Sequence, residues 1–250
     1  MVGPDVAPED GVARYAGDPT QGPACAIAAG AATVYRNYFA PVGGQPGQRG
    51  ERQLDGLADM GAALSEALGR PVNQLWAMRN GYALARREGL EAINAFLAAA
   101  TPGELDQFRK CLRIGVHSDV EVTDGDGMAH RTGQSMQTRH PSQQVSQAFC
   151  SALPVAYSRV PSALWAPFAR LVLEAAYEAT LWAAVLNARG GKSGTVLLTR
   201  LGGGAFGNAD AWIDAAMRRA LEKVAGFALN VRLVSYGAPS PALRQMARDF

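Results

Sequence analysis

The chain carries 24 Lys and Arg against 22 Asp and Glu in 250 residues, a net charge of +2, and 48% of it is hydrophobic. That balance argues against a nucleic-acid groove, and the apolar content suffices for one globular domain with a full-sized core. The longest apolar stretch, 164–186, is interrupted by Arg170, Glu174 and Glu178, which argues against a membrane partner.

In chain order, residues 1–22 are rich in Pro, Gly and Asp and predict an irregular arm. The small apolar run 23–32 predicts a buried strand, and 33–39, β-prone and aromatic, a second extended piece. Gly43-Gly44-Gln45-Pro46-Gly47-Gln48 is a loop by composition. Leu54, Leu57, Ala58, Leu64 and Leu68 recur at helical spacing before Gly69 and Pro71, predicting a helix over 51–68. Asn80-Gly81 reads as a turn. A short helix follows over 89–99, and Thr101-Pro102-Gly103-Glu104 is a capping box that opens another, to about 110.

Leu112, Ile114, Val116, Val120 and Val122 alternate, so this segment is extended. Residues 123–142 form a long polar loop. A strand is expected over 145–154. Pro161 opens the longest helix, to about 186, with Trp165, Phe168, Val172, Ala176 and Leu181 inward. An apolar strand then enters the glycine turn 202–207. A helix over 209–224 follows, with Asn208 as N-cap and Gly226 at its end, then a strand over 229–235 and a short helical tail. Helices and strands alternate, most clearly in the second half, which predicts an α/β protein with a mainly parallel sheet covered on both faces.

Strand, glycine turn and helix start together make an anion cradle. Glycines let backbone N–H groups approach a phosphate, and the helix adds unpaired donors and its positive dipole end. Gly202-Gly203-Gly204-Ala205-Phe206-Gly207 formally fits the dinucleotide fingerprint. Yet the next strand ends at Ser235-Tyr236, with no acid for a ribose, and too little chain follows to complete that fold in its usual order. A plain βα turn without a ligand is the alternative. Gly191-Lys192-Ser193 precedes the strand and is not a P-loop.

In an extended segment Asp119 and Glu121 share a side, roughly 6.5–7 Å apart along the chain. His117 and Thr123 share it too, with Val120 and Val122 turned to the core. The acids are either a catalytic pair or a solvated face. As a pair, one orients water or a hydroxyl and the other serves as base or stabilises a developing oxocarbenium charge. Asp124 and Asp126 are either turn residues or ligands for a divalent cation, but they lack calcium-loop spacing. Asn37, with Gln21, Gln45 and Gln48, offers amides suited to ribose hydroxyls and base edges, and the Gly43-Gly44 loop is placed to close over a ligand. His130 and His140 read as solvated loop residues.

Cys25, Cys111 and Cys150 are odd in number and far apart, a pattern of buried thiols in a reducing cytosol rather than of disulfides or a metal site. Met1-Val2-Gly3-Pro4-Asp5 carries no signal-peptide pattern. A cytoplasmic location is therefore expected.

The late strand, the Gly-x-Gly-x-Phe-Gly turn at 202–207, the helix and the final strand resemble the diphosphate-binding end of macrodomains. Thr20-Gln21-Gly22-Pro23-Ala24-Cys25-Ala26, Tyr35-Arg36-Asn37-Tyr38-Phe39 and Phe149-Cys150-Ser151-Ala152-Leu153-Pro154 resemble a divergent branch of the macrodomain and poly(ADP-ribose)-glycohydrolase-like superfamily. That branch includes bacterial effectors which remove ADP-ribose from arginine. The resemblance implies a single macrodomain-like domain over 1–250, a three-layer α/β/α sandwich. It implies binding of ADP-ribose or an ADP-ribosylated protein, and hydrolysis of the bond to the modified side chain, arginine being the preferred acceptor. Gly202, Gly203, Gly204, Ala205, Phe206, Gly207 and Asn208 would hold the diphosphate and its ribose, with Phe206 against a ribose or base face. Gln21 and Asn37 would support the ligand, and Asp119 and Glu121 would act at the scissile end. No cofactor or metal is required. A reader that binds ADP-ribose without cleaving it, or a Rossmann-like dinucleotide enzyme, remains the alternative.

Overall fold

A computed structural model describes residues 3–123, 143–235 and 237–250. The chain divides into two compact units, 1–54 with 116–148, and 55–115 with 149–250. Helices and strands are mixed. The described strands form four two-stranded sheets, and the last of them, late in the chain, is a parallel pair.

In the first unit, two short 3-10 turns, Pro8–Asp10 and Ala13–Gly17, precede helices α1 (Gln21–Ala28) and α2 (Gly30–Tyr38). Both strands expected over 23–39 are therefore helical. Ala29, Ala32, Thr33 and Asn37 are buried along one side of this region while Val34, Tyr35, Tyr38 and Phe39 are exposed, a helical rather than alternating spacing. Strands β1 (Pro41–Val42) and β2 (Gln45–Pro46) pair antiparallel across Gly43 and Gly44. Both glycines have positive φ, +55° and +83°, as a two-residue hairpin turn requires. The Gly43-Gly44 segment is thus a tight hairpin tip. Strand β5 (Gly115–Glu121) pairs with β6 (Gln144–Phe149). Thr123 fastens the end of β5 to the α1–α2 junction. Its N–H donates to the Ala28 carbonyl at 2.8 Å, and its hydroxyl donates to that of Ile27 at 3.2 Å.

The second unit holds helix α3 (Ala58–Leu68), the one-turn α4 (Val72–Leu75), and strands β3 (Trp76–Arg79) and β4 (Tyr82–Ala85). Helices α5 (Arg87–Ala99), α6 (Pro102–Lys110) and α7 (Ser162–Arg189) follow. So do strand β7 (Thr195–Leu198), helix α8 (Asp210–Val224), strand β8 (Asn230–Leu233) and helix α9 (Pro241–Asp249). Helix α3 starts later than the predicted 51 but ends on Gly69 in the left-handed region. Asn80-Gly81 closes the β3–β4 hairpin with both residues at positive φ, the turn favoured by Asn-Gly. The Thr101 capping box forms with Glu104.

Helix α7 is the axis of this unit and packs against α5, α6 and α8. Trp165, Phe168, Val172, Ala176 and Leu181 face its core as the periodicity predicts. Trp76 stacks on Phe168 at 5.4 Å between ring centroids. Strands β7 and β8 pair in parallel from Thr195↔Asn230 to Leu198↔Leu233, with α8 between them in sequence. This βαβ unit sets the glycine turn at the carboxyl end of β7. Among the described residues no helix is long and apolar enough to cross a membrane.

Candidate functional site

The glycine turn is built from beneath by α7 and from the side by the segment after β6. Tyr177 of α7 donates its hydroxyl to the Thr199 carbonyl at 2.9 Å and accepts the Leu201 N–H at 2.7 Å. Burial pushes the Tyr177 phenol far up, although the Leu201 N–H works against the shift, so it stays a neutral hydrogen-bonding post. Gly202 (φ +76°) and Gly207 (φ +72°) lie in the left-handed region, packed against Ala152 and Ala156. The N–H of Gly203 donates to Arg200, that of Gly207 to Gly204, and that of Asn208 to Gly202.

Asn208 does not cap α8. The N-cap is Ala209, which brings no capping side chain. Asn208 is instead 5% exposed, its Nδ2 donating to the carbonyls of Leu153 at 2.9 Å and Gly202 at 3.2 Å. That latch ties the turn to the 153 segment, and it leaves Oδ1 with no donor among the described residues, a costly state for a buried acceptor. Phe206 is also committed. Its ring centroid lies 5.3 Å from Tyr82 and 5.6 Å from Tyr157, in a three-ring cluster.

What remains open is the tip. Gly204 and Ala205 are exposed, and among the described residues their N–H groups meet no acceptor. Gly204 is at φ +66° with open space where a Cβ would sit, so packing does not demand its glycine. The uncapped start of α8 presents further N–H groups and the positive end of its dipole.

One group that sequence reasoning missed stands at the base of this turn. The Arg200 guanidinium bonds Asp214 through Nη1 and Asp210 through Nη2, the second at 2.7 Å. The two acids are four apart at the start of α8, which puts them on one helix face. An Arg at a strand end, followed by that pair, was the available signal.

The other expected site residues belong to the first unit. Asn37 is 2% exposed, and its Nδ2 donates to the Pro8 carbonyl at 3.1 Å. It borders a cavity of about 300 Å³ shared with Glu9, Tyr38, Gln48 and Arg49. Gln48 bonds the Arg36 carbonyl and the Leu54 N–H, and Gln45 bonds the Gly47 carbonyl. These amides brace the chain. Gln21 is the half-buried first residue of α1.

Asp119 and Glu121 are exposed, and Val120 between them is buried. Asp119 adopts φ +58°, which interrupts the strand alternation, so the expected shared face with Glu121 is not that of a regular strand. His117 meets the Tyr35 ring edge-on at 5.1 Å. Asp124, Asp126, His130 and His140 lie outside the described residues, as does nearly all of the polar loop 123–142.

Cys25 is exposed, contrary to the expectation of three buried thiols. The Cys150 thiol lies 3.7 Å from the Thr180 hydroxyl, and burial pushes it up. Among the described residues no group of three or more His, Cys, Asp or Glu is placed to hold a metal. Compared with known proteins, the chain matches no family model, no curated protein and no solved structure.

Proposed function

We propose that this chain is a divergent macrodomain-like protein, of three-layer α/β/α type, that binds ADP-ribose and hydrolyses its bond to a modified side chain, with arginine as the preferred acceptor. The observation that carries the reading is the open tip of the glycine turn. Exposed, unpartnered N–H groups at Gly204 and Ala205 stand beside an uncapped helix start, at the carboxyl end of a parallel strand. Such a position suits a diphosphate.

For hydrolysis, the ribose C–N bond breaks, water adds its oxygen to the ribose carbon, and the leaving guanidine nitrogen takes a proton. The resemblance assigns the acids of this step to Asp119 and Glu121, which would orient the water and offset the oxocarbenium charge. A non-cleaving reader is the second reading, and the left-handed backbone at Asp119 favours it.

Calorimetric titration with ADP-ribose tests binding. Wild type binds, and Gly204→Glu, which puts a carboxylate at the tip, does not. Absence of wild-type binding overturns both readings. Release of ADP-ribose from an arginine-modified protein separates them. Asp119→Ala and Glu121→Ala keep binding and lose release if the chain is a hydrolase. Binding with no release by wild type leaves the reader.

A further inference from the structure

The Arg200 side chain is 18% exposed and held by two carboxylates of opposite accessibility, Asp214 at 19% and Asp210 at 82%. The bond to Asp214 is sheltered and fixes the guanidinium. The bond to Asp210 is exposed, and exposed ion pairs contribute little because water screens them and both side chains lose freedom. Asp210 is also the first residue of α8, directly after an N-cap with no capping side chain. Its carboxylate therefore occupies the position where a helix start and a guanidinium together favour an anion. Arg200 belongs to the turn itself, since its carbonyl accepts the Gly203 N–H.

We infer that Asp210 is a built-in stand-in for phosphate, and that a diphosphate entering the turn displaces it from Arg200. The exchange is electrostatically natural. A phosphate carries at least the charge of the carboxylate it replaces and matches the guanidinium fork. Asp214 keeps Arg200 aimed while its outer partner changes. Arg200 is then a ligand-binding residue, Asp214 its positioning residue, and Asp210 a competitor that sets the affinity. This rests on the ADP-ribose reading for the identity of the ligand, not for the exchange.

The two acids make opposite predictions although they hold the same Arg. ADP-ribose and inorganic pyrophosphate are titrated separately into wild type, Asp210→Asn, Asp214→Asn, Arg200→Gln and the Arg200→Gln/Asp210→Asn pair. Asp210→Asn should tighten both ligands, about two- to fivefold. Asp214→Asn and Arg200→Gln should weaken both. In the Arg200→Gln background the gain from Asp210→Asn should vanish, which a general field effect would not produce. If Asp214→Asn fails to fold, the exposed Asp210 and the double variant still decide. Unchanged or weaker binding by Asp210→Asn, or a gain that survives Arg200→Gln, overturns the inference while the ADP-ribose reading stands. Pyrophosphate binding with the sign pattern, but no ADP-ribose binding, overturns that reading and keeps the exchange. No binding of either ligand by wild type or Asp210→Asn overturns both.

Discussion

Gly202 sits at φ +76°, and an added Cβ would lie 2.3 Å from the Ala152 Cβ and 2.8 Å from the Asn208 Nδ2. Gly207 meets the Ala156 Cβ at 2.8 Å, whereas Gly204 meets nothing within 4 Å. The four glycines that looked uniform in the sequence thus divide into two packing glycines, Gly202 and Gly207, one tip glycine, Gly204, and Gly203, whose added Cβ would make ordinary contact with the Ile213 Cδ1 at 3.5 Å. Gly202→Ala and Gly207→Ala should each cost about 2–4 kcal/mol, from a crowded contact added to a left-handed backbone. Gly204→Ala should cost only about 1–2 kcal/mol, from the backbone alone. Urea unfolding of the three variants checks the order, and equal costs would contradict it. The same division explains what residue-level reading missed. The sequence marked Asn208 and Phe206 as ligand contacts by their place in the motif. Their engagement by Leu153, Tyr82 and Tyr157 comes from segments far away in the chain, which no local pattern reveals.

Helices α6, α7 and α8 are joined by a ladder of charges. Arg109 bonds Glu174 and Asp106, each at 2.7 Å, and Arg219 bonds Asp106 at 2.7 Å and Glu178. Removing Arg219 leaves Glu178 without this ion pair and Asp106, 41% exposed, held by Arg109 alone, so Arg219→Met should lose about 1 kcal/mol near neutral pH. Burial alone would raise the Asp106 carboxyl. Its hydrogen bond to Arg109 and the charges of Arg109, Arg219 and Lys223 together hold it below its ordinary value. A depressed carboxyl contributes stability that is complete above about pH 4 and is lost as pH falls through its folded pKa. The stability gap between wild type and Arg219→Met should therefore shrink from pH 7 to about pH 3, read from urea midpoints at both. A gap that does not depend on pH would show that the ladder acts by packing alone.

Legibility at this scale followed side-chain size. Helix α7 was readable because Trp165, Phe168, Val172 and Leu181 are large and regularly spaced. The βαβ order at 195–233 was readable from its glycine turn and the apolar runs on either side, although Asn208 does not cap the helix between them. Helices α1 and α2 were not. Their buried side is Ala, Thr and Asn, which carries little hydrophobic signal, while exposed Val34, Tyr35 and Phe39 mimic a strand. The Ala content of 24–32 was the unused cue, since Ala is the best helix former.

At the scale of the molecule, the two units differ in what they bury. The second encloses Met60, Leu64, Leu75, Leu90, Ile93, Trp165, Phe168, Leu173, Leu181, Ile213 and Met217, each with almost no exposure. The buried hydrophobics of the first, among the described residues, are Val6, Tyr15, Ala26, Ala29, Ala32, Ala40 and Val120. Since stabilisation scales with apolar area removed from water, an alanine core contributes far less per residue than one of Leu, Phe and Trp. Local opening is easiest where buried apolar contacts are few. Native-state hydrogen exchange should therefore find the slowest amides in α7 and the facing side of α8, and much faster exchange in α1 and α2 even where their helical bonds are complete. Leu181→Ala, which opens a cavity beside α7 at a cost of about 2–5 kcal/mol, should speed the α7 amides and leave those of α2 nearly unchanged, because α2 already opens below the global limit. If α2 slows and speeds together with α7 across wild type and Leu181→Ala, the two units unfold as one, and the small core of the first is not what sets its stability.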